Sequence, residues 1–136
     1  MSAFRLDERL AHDSISLTTL GLCDVRLSKD SRWPWLILVP QRPDISELFE
    51  LTPLDQTTLT FEQALVAGAL KKVTDATKIN IGALGNIVRQ LHVHVVARFE
   101  GDANWPGPIW GHGQPIAYET DRLKQLTTSF LEALQA

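Results

Sequence analysis

The clearest apolar run in the chain is Trp-Leu-Ile-Leu-Val at residues 35–39, which Pro40 closes. A short run of this kind is typical of a strand that is buried on both faces. Because such a strand is hard to shield in a small domain, we predict that residues 35–39 also lie at a homodimer interface. The β-branched and apolar residues of 16–26 predict one further strand, near the edge of the sheet.

Apolar residues at helical spacing predict one long helix and one C-terminal helix. Thr52 followed by Pro53 is typical of a helix start. The stripe on the long helix, which we expect to end near Val73, contains Phe61, Leu65, Val66, Ala69, Leu70 and Val73. The C-terminal helix, at about 120–134, has an apolar face of Leu123, Leu126, Phe130 and Leu134. Shorter helices are predicted around Asp7 to Ala11 and after the capping-box pattern of residues 44–47.

Two more strands are predicted at residues 78–83 and 91–97. The turn-prone residues 84–86, Leu-Gly-Asn, lie between them and suit a hairpin. Glycine and proline are frequent in the following segment, residues 99–117, but Trp105 and Trp110 also lie there. Because disordered linkers rarely contain tryptophan, we expect an ordered loop.

Composition limits the possible functions. The chain has 136 residues, enough for a single domain, with 13 Lys and Arg, 16 Asp and Glu, and a formal charge of −3. The absence of a basic run makes duplex nucleic acid an unexpected partner. Cys23 is the only cysteine, which excludes an intrachain disulfide. With neither a signal-like N-terminus nor an apolar stretch of about 20 residues, we expect a cytoplasmic protein without a membrane partner.

Residues 90–96 concentrate the candidate chemistry. They read Gln-Leu-His-Val-His-Val-Val, with two of the four histidines of the chain. On a strand, Gln90, His92 and His94 would share one face and the apolar residues the other. Imidazole titrates near neutral pH, so two imidazoles on one solvent-facing side are suited to catalysis or metal binding.

Three interpretations of the histidine pair compete. His92 is a nucleophile toward phosphorus with His94 in support, the pair supplies two metal ligands, or both are ordinary hydrogen-bonded histidines. A metal would need a third ligand, and His12, His112 or a carboxylate stands at no recognisable spacing. Phosphoryl chemistry needs amides and backbone donors, which the predicted adjacent strand and turn offer at Asn80 and residues 85–86. Sequence proximity therefore favours phosphoryl chemistry.

The segment 85–96 resembles the signature of the histidine triad (HIT) superfamily, in which a His-φ-His-φ-His-φ-φ motif, φ being apolar, follows Gly-Gln-Ser/Thr-Val. The spacing matches, but Gln90 stands in place of the first histidine. Residues 35–43 and 44–51 resemble the strand and the helix entry of the family, and Trp105-Pro106 resembles the Trp-Pro pair of its nucleoside phosphoramidase branch. The resemblance covers about residues 20–111 of one domain spanning 1–136.

The resemblance implies an α+β fold, with an antiparallel sheet packed against the long and C-terminal helices and joined to a second sheet across a homodimer. It also implies a nucleotide hydrolase or nucleotidyl transferase that needs no cofactor or catalytic metal. Its substrate would be a nucleoside phosphoramidate or a dinucleoside polyphosphate. The implied catalytic residues are Gln90, His92 and His94, with His92 forming a nucleotidyl-histidine. The implied substrate-binding residues are Asn80, Gly85, Asn86 and Trp105.

Three departures from the family pattern favour an alternative, a weak or inactive dimeric nucleotide-binding module. Gln90 cannot exchange protons. Ile87 removes a hydroxyl that the family places near the phosphate. Leu27 stands where many members have an acid or amide that binds the ribose, and Asp24 or Asp30 would have to compensate.

Overall fold

Five antiparallel strands in the order β1-β2-β3-β5-β4 form one sheet in the computed structural model, which describes residues 3–136. The strands are β1 (Ser14–Thr19), β2 (Cys23–Ser28), β3 (Trp35–Pro40), β4 (Lys78–Gly82) and β5 (Val93–Arg98). The helices are α1 (Glu8–Asp13), α2 (Pro53–Thr74) and α3 (Thr120–Gln135), with a 3-10 turn at Leu48–Glu50. The mixed helix and sheet architecture agrees with the sequence-based prediction.

One face of the sheet packs against α2 and α3 and forms the main core. Val25 and Leu38 from the sheet, Val66 and Leu70 from α2, and Phe130 from α3 are all buried there. The side chains of β5 alternate between this core and the opposite face. The alternation places His94 and Arg98 on the face away from the long helices.

The opposite face is covered by two pieces of irregular chain. The N-terminal segment, residues 3–7, leads into α1, and its Phe4 and Leu6 pack with Leu10 on Ile37 of β3. Farther along the sheet, Ile109 from the loop of residues 99–117 packs with buried residues. The loop is ordered, as predicted. No helix in residues 3–136 has the length and apolarity to cross a membrane.

The predicted start of the long helix is confirmed. The Thr52 hydroxyl accepts a hydrogen bond from the Asp55 N–H at 3.1 Å, and Pro53 occupies the first turn. The predicted apolar stripe is only partly correct, because Phe61 and Leu65 are 67% and 39% exposed. The fully buried positions instead include Leu59 and Glu62, whose carboxylate accepts hydrogen bonds from two N–H groups of the β1–β2 turn.

Residues 16–26, predicted as one strand, form parts of two. β1 and β2 pair antiparallel across a tight turn, in which the Leu20 N–H bonds the Cys23 carbonyl at 2.8 Å. Glu62 accepts hydrogen bonds from the Leu22 and Cys23 N–H groups, each at 2.9 Å. A tertiary contact from a distant helix therefore fixes a turn that the local sequence does not reveal.

The predicted hairpin turn at 84–86 is a longer loop. β4 ends at Gly82 and β5 begins at Val93, so the connection runs from residue 83 to residue 92. The Leu91 N–H bonds the Ile45 carbonyl at 2.9 Å rather than a residue of β4. Pairing with the chain before α2 thus replaces the expected strand extension.

Two other predictions are corrected. Asp44 has a φ of 58°, so it does not cap a helix, and the capping box is formed three residues later by Glu47 and Glu50. Residues 35–39 were expected at a dimer interface. β3 instead pairs on both edges, with β2 and β5, and it is buried within the subunit.

Candidate active site

The histidine pair lies at the beginning of β5, beneath the covered face of the sheet. His94 lies within β5, whereas His92 is the residue immediately before the first residue of the strand, Val93. Their ring centroids are 4.9 Å apart, in an edge-to-face arrangement. They are 6% and 7% exposed, so the expectation of a solvent-facing pair is wrong. The N-terminal segment and the loop of residues 99–117 cover this side of the sheet, which accounts for the burial.

A backbone carbonyl fixes the tautomer of His92. Its Nδ1 lies 2.7 Å from the carbonyl oxygen of Gln90. A carbonyl can only accept a hydrogen bond, so Nδ1 must carry a proton and donate it. In the neutral ring, Nε2 then has a free lone pair. Nε2 of the neutral ring is therefore the only nitrogen of His92 with a lone pair available for bonding.

An indole fixes the opposite tautomer of His94. Trp35 donates its Nε1–H to His94 Nδ1 at 2.9 Å, and an indole N–H can only donate. Burial, assisted by the nearby His92, lowers the pKa of His94 to about 3, so the ring is neutral at pH 7. Its proton is consequently on Nε2. The site thus places a lone pair on one imidazole beside an N–H donor on the other.

Trp110 covers the other side of His94. The two ring centroids are 5.5 Å apart, as are those of Trp35 and His94. Gly82 lies opposite His94 in the β4–β5 pairing. A Cβ atom at Gly82 would lie 3.0 Å from Trp110 Cη2, tighter than ordinary contact. The absence of a side chain at Gly82 therefore lets the indole approach the sheet beside His94.

Gln90 does not join the two imidazoles in a hydrogen-bonded row. Its Oε1 accepts a hydrogen bond from the Asp7 N–H, and its Nε2 donates to the Arg5 carbonyl, both at 2.8 Å. The side chain thus ties the N-terminal segment to the histidine pair. Its backbone carbonyl meanwhile orients His92. In this structure Gln90 positions its neighbours, and its predicted catalytic role remains a prediction.

A cavity of about 220 Å³ opens beside His92. Gly85 lines it, as the predicted phosphate-binding role requires, and so do Ser46 and Arg89. Asn86 lines an adjoining cavity of about 330 Å³, which shares these three residues. Ser46, Glu47, Gly85 and Arg89 therefore line both cavities, and the phosphate-binding roles of Gly85 and Asn86 remain predictions.

Asn80 and Trp105 belong to a different cluster, centred on buried Arg98. Arg98 donates a hydrogen bond to Asn80 Oδ1 at 3.1 Å, forms an ion pair with Asp102 at 2.8 Å, and lies 5.5 Å from the Trp105 ring. These contacts attach the loop of residues 99–117 to β5. Neither Asn80 nor Trp105 lines the cavity beside His92, so their substrate-binding roles remain predictions.

Leu27 stands where the family resemblance places a ribose-binding residue, but its apolar side chain is buried in the main core. Both acids considered as substitutes are engaged elsewhere. Asp24 pairs with Arg26, and Asp30 pairs with Arg32, each at 2.8 Å. Burial alone would raise the pKa of Asp30, but hydrogen bonds from Arg32 and the Ile116 N–H outweigh burial and hold this pKa below its usual value.

The other two histidines do not complete a metal site. His12 and His112 line a cavity that contains neither His92 nor His94. Among residues 3–136, no three His, Cys, Asp or Glu side chains come together as a metal-binding group. The metal interpretation therefore lacks a third ligand among the described residues.

Sequence reasoning missed Trp35 and Trp110 as neighbours of the histidine pair, and Ser46 and Arg89 as residues that line the cavity beside His92. The available signal for Trp35 was alternation along β3, because Ile37 lies opposite His94 and Trp35 shares the face of Ile37. Because residues 35–39 were treated as a strand buried on both faces, the contact of Trp35 with His94 was not predicted. Trp110 lies on a loop, where no periodicity could place it.

Comparisons with known proteins agree with the geometry. The HIT domain family model matches residues 10–101, more than half of the chain. An AP-4-A phosphorylase of Mycobacterium tuberculosis is 37% identical over 82 residues. That alignment covers 56% of this chain and 42% of the relative, so the chain matches less than half the length of that enzyme.

Two solved structures match the fold of this chain over almost its whole length. A histidine triad protein from Sinorhizobium meliloti has a TM-score of 0.94 and 63% identity, with 96% of each chain covered. Another from Bradyrhizobium japonicum has a TM-score of 0.96 and 42% identity, covering 98% of this chain and 99% of that one. The fold, the paired histidines and the matched domain lead to one conclusion: this chain belongs to the histidine triad (HIT) family.

Proposed function

We propose that the protein hydrolyses dinucleoside polyphosphates through a covalent nucleotidyl-His92 intermediate. The observation that carries this proposal is the complementary pair of tautomers. His92 has its Nε2 lone pair free while Gln90 binds its Nδ1–H, and His94 has an Nε2–H while Trp35 occupies its Nδ1. One ring is prepared to attack and its neighbour to donate a hydrogen bond.

In the first step, the Nε2 lone pair of His92 forms a bond to the α-phosphorus. The bond from phosphorus to the bridging oxygen breaks, and the leaving polyphosphate takes the electron pair. His92 becomes a nucleotidyl-imidazolium whose Nδ1–H still faces the Gln90 carbonyl, which stabilises the positive charge. The His94 Nε2–H donates a hydrogen bond to the departing oxygen, where negative charge develops.

In the second step, water attacks the same phosphorus and the P–N bond breaks. The electron pair returns to His92 Nε2, a nucleoside monophosphate leaves, and one proton is released to solvent. Ser46 and Arg89, which line the cavity beside His92, supply a hydroxyl and a cation near the phosphate oxygens.

The protonation state of His94 favours a polyphosphate leaving group. A polyphosphate departs as an anion and needs a hydrogen bond donor, which a neutral imidazole provides. An amine leaving from a phosphoramidate needs a full proton, which a group with a pKa of about 3 carries only in acid. The similarity to an AP-4-A phosphorylase supports the same substrate class. Nucleoside phosphoramidates are the second candidate.

The alternative of a binding module without turnover is favoured by exposed Ile87, in place of a hydroxyl residue, and by core-facing Leu27. Steady-state hydrolysis separates these alternatives. We expect diadenosine tetraphosphate to be cleaved faster than adenosine phosphoramidate. We also expect His92→Ala to remove hydrolysis while Lys71→Ala, on the exposed surface of α2, retains it. Equal rates for His92→Ala and the unchanged protein would exclude the covalent mechanism, and loss of activity on chelation alone would favour the metal interpretation.

We further propose a homodimer formed by β4 and α2. β4 is an edge strand of the sheet and exposes Ile81, at 48%. Leu54, Phe61 and Leu65 are exposed along one face of α2. A second copy of the chain fits this surface because two identical edges can pair antiparallel about a twofold axis and extend the sheet.

A further inference from the structure

The N-terminal segment, residues 3–7, lies against the face of the sheet that carries the histidine pair. Its Phe4 and Leu6 pack on Ile37 of β3. Ile37 lies opposite His94 where β3 pairs with β5. The segment is therefore docked beside the candidate active site, and the proposed function does not yet give it a role.

Gln90 links this segment to His92. Its side-chain amide accepts a hydrogen bond from the Asp7 N–H and donates one to the Arg5 carbonyl, both at 2.8 Å. Residue 90 lies in the loop between β4 and β5, so strand pairing does not hold its main chain. The carbonyl of the same residue binds Nδ1 of His92 at 2.7 Å. The two contacts with the segment thus restrain the residue whose carbonyl selects the tautomer of His92.

Trp35 links the same segment to His94. Its indole packs on the same buried apolar cluster as Phe4 and Leu6, and its Nε1–H is the donor to His94 Nδ1 at 2.9 Å. Close packing restrains a large side chain, because the ring cannot turn without displacing its neighbours. The segment therefore borders both of the groups that select a tautomer, one for each imidazole.

We propose that the docked N-terminal segment is a positioning element of the active site. It holds Gln90 and Trp35 in place, so that His92 keeps a free lone pair on Nε2 while His94 keeps a proton on Nε2. The inference rests on the proposed function, because only there does the choice of tautomer set a reaction rate. The tautomers themselves are observable in the protein without substrate, so the positioning role is tested separately from turnover.

Two variants disturb the segment at different points. Leu6→Asp places a charge in the apolar contact and releases the segment from the sheet. Gln90→Met keeps the length of the side chain but removes both of its hydrogen bonds, and it also serves if Leu6→Asp does not fold. The controls are Glu8→Ala, at an exposed position next to the segment, and Gln114→Ala, at an exposed glutamine of the loop of residues 99–117. Hydrogen exchange of the Asp7 amide reports release of the segment.

The ¹⁵N spectra of the two histidines are recorded on the substrate-free proteins. We expect Leu6→Asp to give mixed tautomers for both His92 and His94, because the segment packs near both of their partners. Gln90→Met should mix the tautomers of His92 alone, since it leaves the apolar packing around Trp35 intact. Both controls should keep the spectra of the unchanged protein. A merely structural role of the segment would lower stability without this selective pattern.

Turnover supplies the second measurement. We expect kcat for diadenosine tetraphosphate to fall at least roughly tenfold in Leu6→Asp and Gln90→Met, with less than about a twofold change in KM. Unchanged histidine spectra in the folded variants, or equal tautomer mixing in the two controls, would overturn the inference. If the unchanged protein hydrolyses no substrate, the proposed function fails, while the selective change in the spectra still supports the positioning role.

Discussion

At the scale of single residues, two hydrogen bonds determine what each imidazole can do. The Gln90 carbonyl leaves Nε2 of His92 free, and Trp35 leaves a proton on Nε2 of His94. Without these partners each neutral ring could adopt either tautomer, and only one of the four combinations would have the lone pair of His92 and the proton of His94 both on Nε2. Gln90 contributes through its main-chain carbonyl, which binds His92, as well as through its side-chain amide, which binds the N-terminal segment.

Trp35→Phe tests the control of the His94 tautomer. Phenylalanine keeps an aromatic ring but cannot donate to Nδ1, so the proton of His94 distributes over both nitrogens. We expect kcat for diadenosine tetraphosphate to fall about tenfold and the ¹⁵N spectrum of His94 to show mixed tautomers. Trp33→Phe is the control, because Trp33 donates its indole N–H to the Ala103 carbonyl instead. An unchanged His94 spectrum in Trp35→Phe would contradict the assignment.

The buried, neutral His94 also predicts a pH dependence of stability. Burial lowers its pKa in the folded protein from 6.5 to about 3. The unfolded chain therefore binds one more proton between these values, and the stabilisation present above pH 6.5 is lost as the pH falls toward 3. We expect the free energy of unfolding to fall by up to about 1.4 kcal/mol per pH unit from this group.

His94→Gln isolates that contribution. Denaturant titrations between pH 4 and 6 should give a shallower pH slope for His94→Gln, by close to one proton. His12→Gln is the control, because the side chain of His12 is 86% exposed. Identical slopes for the unchanged protein and His94→Gln would show that His94 titrates normally in the folded state.

At the scale of elements, the sequence predicts best where a structure depends on its own residues. The start of α2 follows from Thr52 and Pro53, and the apolar face of α3 from residues at helical spacing around buried Phe130. Prediction fails where a residue that is distant in the sequence determines the local structure. Glu62 fixes the turn between β1 and β2 by accepting a hydrogen bond from the Leu22 N–H. The Leu91 N–H bonds the Ile45 carbonyl, so Leu91 does not pair with β4 as the predicted hairpin required.

Glu62→Gln measures how much that distant group stabilises the β1–β2 turn. The carboxylate accepts from the Leu22 and Cys23 N–H groups, each at 2.9 Å, through separate oxygens. An amide has one oxygen, so one buried N–H loses its partner and meets another donor. We expect urea denaturation to show a loss of about 1–3 kcal/mol. Glu132→Gln, on the exposed surface of α3, should change little. Equal stability of both variants would contradict the role of Glu62.

At the scale of the whole molecule, apolar periodicity predicted the two long helices, residues 90–96 identified the histidine pair, and the family resemblance implied one antiparallel sheet, but none of these indicated how the site is enclosed. Alternation correctly separated His94 from the core, yet residues 3–7 and 99–117 cover that face and bury it. These segments lack a repeating pattern, and their positions depend on long-range contacts such as those of Gln90 and Arg98. Local sequence patterns therefore could not predict the positions of these two segments.

Phe61→Glu tests the assembly. A charge at this exposed apolar position would be buried without a partner in the proposed dimer, whereas it would face water in a monomer. Sedimentation at micromolar concentration should show a dimer for the unchanged protein and for Thr60→Glu, an exposed neighbour, but a monomer for Phe61→Glu. A folded monomer in all three proteins would contradict the proposed interface.

The central claim is that His92 carries the nucleotide during turnover, and mass spectrometry after alkaline quenching tests it most directly. Base preserves the P–N bond, and trypsin releases residues 90–98, which contain both imidazoles, by cleaving after Arg89 and Arg98. During cleavage of diadenosine tetraphosphate, we predict an adenylyl group that fragmentation assigns to His92, and its absence in His92→Ala. Turnover without an adduct, or an adduct on His94, would contradict the account.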